Sequence, residues 1–142
     1  MRHNPIDEGQ RAALRRLRRA QLAEARRIRR IAASAYRLTP AHLAAPCRVA
    51  PLAEARQVAM YLMRTRLTWP TLGRDVPFPS ARIGALLGGR DHSTVLHGVG
   101  AIAARLTGSR QEDAYLRRMV GALTSALDAA YEGEEALHRR AA

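Results

Sequence analysis

Prolines and glycines divide this sequence into stretches that favour helix. Between the breaks alanine, leucine and arginine recur, runs of β-branched residues are few, and only 4% of the 142 residues are aromatic. Alanine, leucine and arginine are strong helix formers, whereas proline and glycine end helices. The sequence therefore predicts an all-α fold with the length of about one domain.

The positions of the breaks predict the helices. A long basic helix over 7–37 begins with Asp7 as its N-cap, and the pair Thr39-Pro40 starts a short helix that Pro46 ends. We expect further helices over 51–67, 80–87, 91–106 and 110–131. Segment 68–79 contains three prolines and a glycine, so we expect a loop there.

Arginine carries all of the basic charge, because the chain contains 24 arginines and no lysine, with a formal net charge of +12. Twelve arginines against three acids give residues 1–49 a net charge of +9, whereas residues 111–142 have a net charge of −2. A guanidinium group can bind two phosphate oxygens at once. The charge therefore favours a nucleic-acid partner, although an arginine-rich genome would produce the same composition.

Several classes of protein need residues that this chain lacks. Cys47 is the only cysteine, which excludes an intrachain disulfide, and we expect it to be a small buried thiol. A chain without lysine cannot form a nucleotide-binding P-loop. His92 and His97 lie about 140° apart around a helix and cannot share a metal ion. We therefore expect no enzymatic activity, nucleotide, cofactor or metal.

The chain also has no apolar run of the length that spans a bilayer, and its first residues do not form a signal peptide. We therefore expect a cytoplasmic, nucleoid-associated protein without a membrane partner.

The stretch GGRDHSTVLHG (88–98) places five polar side chains between two glycines and a resumed apolar pattern. Gly88 and Gly89 end the helix over 80–87, and the next helix begins within three residues. A short helix, a tight turn and a second helix form a helix-turn-helix, whose second helix puts its N-terminal residues into the major groove of DNA. The sequence therefore predicts a base-reading site at residues 90–94.

The side chains from Arg90 to Thr94 suit this role. Asp91 can accept a hydrogen bond from a cytosine amino group, and His92 can donate or accept. Ser93 and Thr94 offer hydroxyl groups. The alternative interpretation is that Asp91 and Ser93 only cap the helix while His92 faces water.

Two blocks of the sequence, RQVAMYL (56–62) and IGALLGGRDHSTVLH (83–97), resemble the C-terminal DNA-binding domain of the bacterial replication initiator DnaA. The resemblance covers about residues 28–106. It implies a compact helical bundle related in fold to the Trp repressor, without the initiator's ATPase module. It also implies binding to duplex sites similar to DnaA boxes.

The resemblance implies a role for each matching residue. Asp91, His92 and Ser93 stand where the family reads bases in the major groove, and Ser93 replaces the usual threonine. Arg48 stands at the spacing of the family arginine that enters the minor groove. The residues that match the family's phosphate contacts are Arg56, Gln57, Thr94 and His97.

The chain departs from the family pattern at three places. Ser80 and Ala81 replace a leucine-proline pair, and Glu54 replaces a residue that is commonly basic. The residues in place of basic ones on the second helix are Gly98, Gly100 and Ala101. Each glycine weakens a helix by about 1 kcal/mol relative to alanine, so both the affinity and the sequence read can differ from the family's.

Together these inferences predict sequence-specific binding of double-stranded DNA, in the regulation of transcription or of replication initiation. We expect a basic helical extension over 1–27, a helix-turn-helix domain over 28–131 and a frayed tail over 132–142. The alternative is a protein-interaction module, in which the helix over 7–37 forms a homodimer or docks a protein partner and DNA contact is secondary.

Overall fold

The computed structural model describes residues 6–141 and confirms the all-α fold. Two short strands, β1 (Thr68–Trp69) and β2 (Val76–Pro77), pair antiparallel, and a 3-10 turn spans Gln111–Asp113. The six helices of the described residues are α1 (Glu8–Ala35), α2 (Pro40–Ala44), α3 (Ala50–Arg66), α4 (Ser80–Leu86), α5 (His92–Thr107) and α6 (Ala114–Ala141).

Side chains cap the first two helices. Asp7 Oδ1 accepts from the backbone N–H of Gln10 at 2.7 Å, and the Gln10 side chain accepts from the N–H of Asp7 at 3.2 Å. Thr39 and His42 form the same reciprocal pair at the start of α2. Each pair satisfies N–H groups that a first helical turn leaves without partners. The predicted N-cap Asp7 is confirmed.

Helix α3 lies at the centre of the fold and packs against α1, α2, α4 and α5. Its buried residues cover an arc of about 200°, which is wider than the apolar stripe of a surface helix. They are Ala55, Arg56, Val58, Ala59, Met60, Leu62 and Met63. Ile28 of α1, Ile102 of α5 and Leu127 of α6 belong to the same core. The core therefore joins the elements that precede and follow α3.

Helix α1 packs against the domain along much of its length. Arg18 Nε donates to the carbonyl of Pro70 at 2.9 Å, and Gln21 Oε1 accepts from the N–H of Thr68 at 3.1 Å. The helix continues without a break across residues 27 and 28, where we expected the basic extension to end. The basic helix therefore forms part of the body of the protein.

The last helix is longer than expected. It continues to Ala141, whereas the sequence predicted a frayed tail from residue 132. An ion pair between Arg27 of α1 and Glu134 of α6 joins the two long helices in this region. This contact between distant parts of the chain is not visible in the periodicity of either helix.

Most of the segment predicted as a loop is irregular, but β1 and β2 pair within it and form the base of a hairpin. Trp69 and Phe78 are buried at that base and meet edge to face, with ring centroids 5.6 Å apart. The guanidinium groups of Arg18 and Arg82 lie 4.9 Å and 4.3 Å from the centroid of the Trp69 ring. Cation–π contact and aromatic burial stabilise the base of the hairpin.

Two glycines allow the sharp turn between α4 and α5. Gly88 has a φ of +85°, and a Cβ atom there would lie 2.1 Å from the carbonyl oxygen of Ala44. A Cβ atom on Gly84 would lie 1.8 Å from the carbonyl oxygen of Arg90. The carbonyl of Gly84 also accepts from the N–H groups of Gly89 at 2.9 Å and Arg90 at 3.1 Å. The turn is therefore closely packed on both sides.

A polar network joins the end of α1, the first half of α3, the end of α5 and the start of α6. Glu54 of α3 accepts from the Tyr36 hydroxyl at 2.6 Å and from Arg105 Nη1 at 2.8 Å. Arg105 Nε donates to Asp113 at 2.8 Å, and the Tyr115 hydroxyl donates to Glu54. The charge of Glu54 is thus paired inside the fold.

The network changes the pKa of the Glu54 carboxylate. Burial alone would raise the pKa of Glu54, but the hydrogen bonds from Tyr115, Tyr36 and Arg105 outweigh burial and lower that pKa below its ordinary value. The carboxylate therefore stabilises the fold above the unfolded-state pKa, and this stabilisation is lost as the pH falls through the folded-state pKa.

We predict that Glu54→Gln lowers the free energy of unfolding by about 1–3 kcal/mol near neutral pH. The difference from the unsubstituted protein should shrink as the pH is lowered to about 3. Urea unfolding at several pH values measures it. A difference that stays constant over this pH range would show that the charge of Glu54 contributes nothing.

A pair of alanine substitutions tests the packing of the turn. Gly84→Ala should lower the free energy of unfolding by at least about 1 kcal/mol, because it forces a methyl group onto backbone atoms. Gly100→Ala is the control, since a Cβ atom there has no neighbour within 4 Å. It should stabilise the protein by up to about 1 kcal/mol. Equal midpoints for the two variants in thermal unfolding would contradict the close packing.

Candidate nucleic-acid interface

The helix-turn-helix predicted from the sequence consists of α4, the glycine turn and α5. Asp91 caps α5, because its Oδ1 accepts from the N–H of Thr94 at 2.8 Å. This hydrogen bond is the main reason that the pKa of Asp91 is lowered. Val95, Gly98 and Ile102 are the buried residues of the helix. The first turn of α5 is therefore fixed by its cap and by the packing that begins at Val95.

The start of α5 presents polar side chains to solvent. Asp91, His92, Ser93 and Thr94 are all exposed, and the next residue along the chain is buried. A carboxylate has two oxygens, so the use of one as a cap leaves hydrogen-bonding capacity on the other. The capping role and the base-reading role of Asp91 are compatible.

A cleft of about 580 Å³ lies beside the start of α5, between the linker that follows α2 and the first half of α3. We call it the basic cleft. Six of the nine residues predicted to contact DNA line this cleft. They are Arg48, Arg56, Gln57, Arg90, Thr94 and His97. The other three, at the exposed start of α5, are Asp91, His92 and Ser93.

Two of the predicted arginines bind backbone carbonyls. Arg56 is only 4% exposed; its Nε donates to the carbonyl of Leu43 at 2.7 Å and its Nη2 to that of Ala45 at 2.5 Å. Arg90 Nη2 donates to the same Ala45 oxygen at 2.8 Å, and Arg90 Nη1 donates to the carbonyl of Leu87. We call Arg56, Arg90 and the Ala45 carbonyl the arginine clamp.

The clamp has a clear physical cause. The last carbonyls of a helix lack partners within the helix, and those at the end of α2 face the side of α3 that carries Arg56. Burial lowers the pKa of Arg56, and so does the positive charge of Arg90. The two guanidinium groups are held together by the shared acceptor. The phosphate contact implied for Arg56 by the resemblance stays a prediction.

Sequence reasoning did not find the clamp. Its one signal is that Arg56 follows Ala55 and comes shortly before Val58 and Ala59, which are apolar residues of the same helix. It also missed the role of Gly98, where a Cβ atom would lie 2.7 Å from Met60 Sδ. This glycine brings α5 close to α3, so it has a packing role beyond the expected weakening of the helix.

The sequence also led to expectations about the thiol of Cys47, metal binding and membrane helices. Cys47 is exposed, so the expectation of a buried thiol was wrong. Within residues 6–141, no three histidine, cysteine or acidic side chains are grouped as metal ligands would be. None of the helices described is both long and apolar enough to cross a membrane.

Comparison with known proteins gives a family match. The family described as the bacterial dnaA protein helix-turn-helix matches residues 25–102, a span that contains all nine predicted site residues. The chain is similar to the chromosomal replication initiator protein DnaA of several bacteria. The DnaA of Spiroplasma citri is 35% identical over 86 residues, which are 61% of this chain and 17% of that protein.

Two further relatives show similar coverage. The DnaA of Sphingopyxis alaskensis is 34% identical over 100 residues, which are 69% of this chain and 20% of that protein. The DnaA of a Bradyrhizobium species is 43% identical over 77 residues, which are 54% of this chain and 14% of that protein. This chain therefore spans a fifth or less of the length of these three relatives.

Removal of one side of the arginine clamp tests its structural role. Arg56→Met keeps the apolar stem but leaves the carbonyls of Leu43 and Ala45 without this donor. It should lower the free energy of unfolding by about 1–3 kcal/mol, the cost of unpaired buried polar groups. Arg118→Met is the control, because Arg118 is exposed on α6 and should change stability by less than about 0.5 kcal/mol. If both variants unfold at the same urea concentration, the clamp does not stabilise the fold.

Proposed function

Because this chain belongs to the bacterial DnaA helix-turn-helix family, we propose that it binds double-stranded DNA sequence-specifically through α4 and α5, at sites similar to DnaA boxes. Membership of the family implies DNA binding, and the helix-turn-helix is a DNA-binding unit rather than a catalytic one. Occupancy of such sites would regulate transcription or the initiation of replication. We propose that the DNA-binding domain comprises at least residues 28–131, and both α1 and α6 continue beyond these bounds.

The observation that carries the proposal is the row of exposed polar side chains at the start of α5. In a helix-turn-helix these positions enter the major groove. Asp91 can accept from a cytosine amino group, and His92 and Ser93 can donate or accept. A good bidentate contact to a base gives about 1–3 kcal/mol of discrimination. These three residues are the proposed readers of sequence.

The basic cleft supplies the groups that would set the position of the duplex. Gln57, Thr94 and His97 line it and can bind phosphate oxygens, which fixes register without reading sequence. Arg48 is exposed at the rim, in the linker that the arginine clamp holds. We propose that the clamp positions Arg48 for the minor groove next to the major groove read by α5.

The alternative function, a protein-interaction module built on the first helix, has less support. The apolar residues Ala25, Ile28 and Ala32 of α1 are fully buried in the domain's own core. This part of the apolar face is already covered and cannot form a dimer seam, and Leu17 is the one large apolar side chain that α1 exposes within its described residues. The exposed side of α1 carries arginines, which suit an anionic partner better than a second copy of a basic chain.

Substitution of His92 separates base reading from general attraction to DNA. We predict that His92→Ala lowers affinity for a duplex with a DnaA box by about tenfold, which corresponds to about 1.4 kcal/mol. Affinity for the same bases in scrambled order should be unchanged. Fluorescence anisotropy titrations at one fixed salt concentration measure both.

The control is His138→Ala, because His138 is exposed near the end of α6, away from the helix-turn-helix. This variant should bind both duplexes as the unsubstituted protein does. Equal losses on the two duplexes for His92→Ala would contradict base reading by this side chain.

A further inference from the structure

Four arginines form a stripe along the exposed side of α1. They are Arg15, Arg19, Arg26 and Arg30, and all four are exposed. With 3.6 residues per turn and a rise of 1.5 Å per residue, they lie within an arc of about 60° and over a length of about 22 Å. We call them the arginine stripe. It lies outside the helix-turn-helix and outside the basic cleft.

Acidic side chains neutralise little of the positive charge of the arginine stripe. Glu8 pairs with Arg15 at 2.7 Å, but the two side chains are 72% and 59% exposed, so this pair is weak. Among the described residues no acidic side chain forms an ion pair with Arg19, Arg26 or Arg30. Their charge is therefore available to a partner.

Other arginines of α1 behave differently. Arg18 and Arg29 donate to the carbonyls of Pro70 and Leu86 at 2.9 Å and 2.8 Å, and Arg27 forms ion pairs with glutamates. These side chains turn toward the domain and hold the helix in place. Helix α1 thus carries two groups of arginines: one contacts the rest of the protein, and the other, the arginine stripe, faces solvent. The helical backbone keeps the arginines of the stripe in a row.

We propose that the arginine stripe is a second, sequence-independent binding surface for the phosphate backbone of duplex DNA. This inference rests on the proposed function, because a chain bound at a specific site is surrounded by more duplex. The phosphates of one strand follow each other every 3.4 Å along the axis. Because the strand makes a full turn in about 34–36 Å, a straight row of about 22 Å faces only some of the phosphates along that length. Arginine is suited to such contacts because its guanidinium fork matches phosphate oxygens.

The apolar residues of α1 favour DNA over a lipid surface as the partner of the stripe. A membrane-bound helix inserts an apolar face into the bilayer, but the apolar side of α1 is in the core, where Ala25, Ile28 and Ala32 are fully buried. Leu17, at 55% exposure, is the one large apolar side chain that α1 exposes within its described residues. By helical spacing it points about 200° away from Arg15 and therefore away from the stripe.

The same phosphate chemistry can come from DNA that flanks the specific site or from a second duplex. The two sources are distinguished by two assays. The first compares affinity for a short duplex that holds only a DnaA box with affinity for a long duplex that adds random flanks. The second asks whether an immobilised box duplex captures a labelled random duplex through the protein.

The test variant replaces the four stripe arginines by glutamine, which has a similar helix propensity. We predict that it binds the short box duplex with unchanged specificity. If the unsubstituted protein binds the long duplex more tightly than the short one, the variant should lose that difference. If the unsubstituted protein captures a second duplex, the variant should no longer capture it. The log–log salt slope of that additional binding should flatten by about one unit for each phosphate that the variant no longer neutralises.

Two controls keep the result interpretable. A variant with lysine at the same four positions retains the charge and should retain the additional binding. A variant with glutamine at Arg118, Arg139 and Arg140, which are exposed on α6, tests the effect of lower net charge alone and should also retain it.

The proposal is overturned if the stripe variant keeps the additional binding, if the α6 variant loses as much, or if the unsubstituted protein gains nothing from flanks and captures no second duplex. Binding of the unsubstituted protein to anionic vesicles but not to random duplex would assign the stripe to lipid and would also overturn it. Failure to bind the short box duplex would instead refute the proposed function.

Discussion

One carbonyl oxygen, that of Ala45, connects the parts of the interface. It accepts from Arg56 of α3 and from Arg90 of the turn before α5, while it belongs to the linker that carries Arg48. Two guanidinium groups converge there despite their repulsion, because this partly buried oxygen has two lone pairs and accepts one hydrogen bond from each. This contact ties the linker to α3 and to the turn before α5, the three elements that surround the basic cleft.

Hydrogen bonds from arginine to groups inside the fold explain why the net charge does not tell how many arginines the surface offers to a partner. Arg56, Arg90 and Arg105 donate their hydrogen bonds to carbonyls and carboxylates inside the fold. Arg18 and Arg82 contact the face of Trp69. In a chain without lysine, arginine serves both as an internal donor and as an external cation. The arginines that the fold leaves exposed therefore have the most free donors to offer to phosphate.

Local signals predicted much of the fold, and contacts between distant residues account for what they missed. Caps, prolines and the glycine pair predicted the helices and the helix-turn-helix, because these depend on a few neighbouring residues. The hairpin depends on Trp69 meeting Phe78 and Arg82, and the network depends on Glu54 meeting Arg105. The nine site residues came from the motif and its family, but only the three-dimensional structure reveals that Arg56 is buried.

The central claim is that the start of α5 reads the sequence of a duplex. Selection of bound duplexes from a random pool, followed by sequencing, tests it most directly, because it assumes no site. We predict that repeated rounds enrich one motif similar to a DnaA box. A bound pool with the same sequence composition as the input would contradict it, and the exposed side chains from Asp91 to Ser93 would then have no role in recognition.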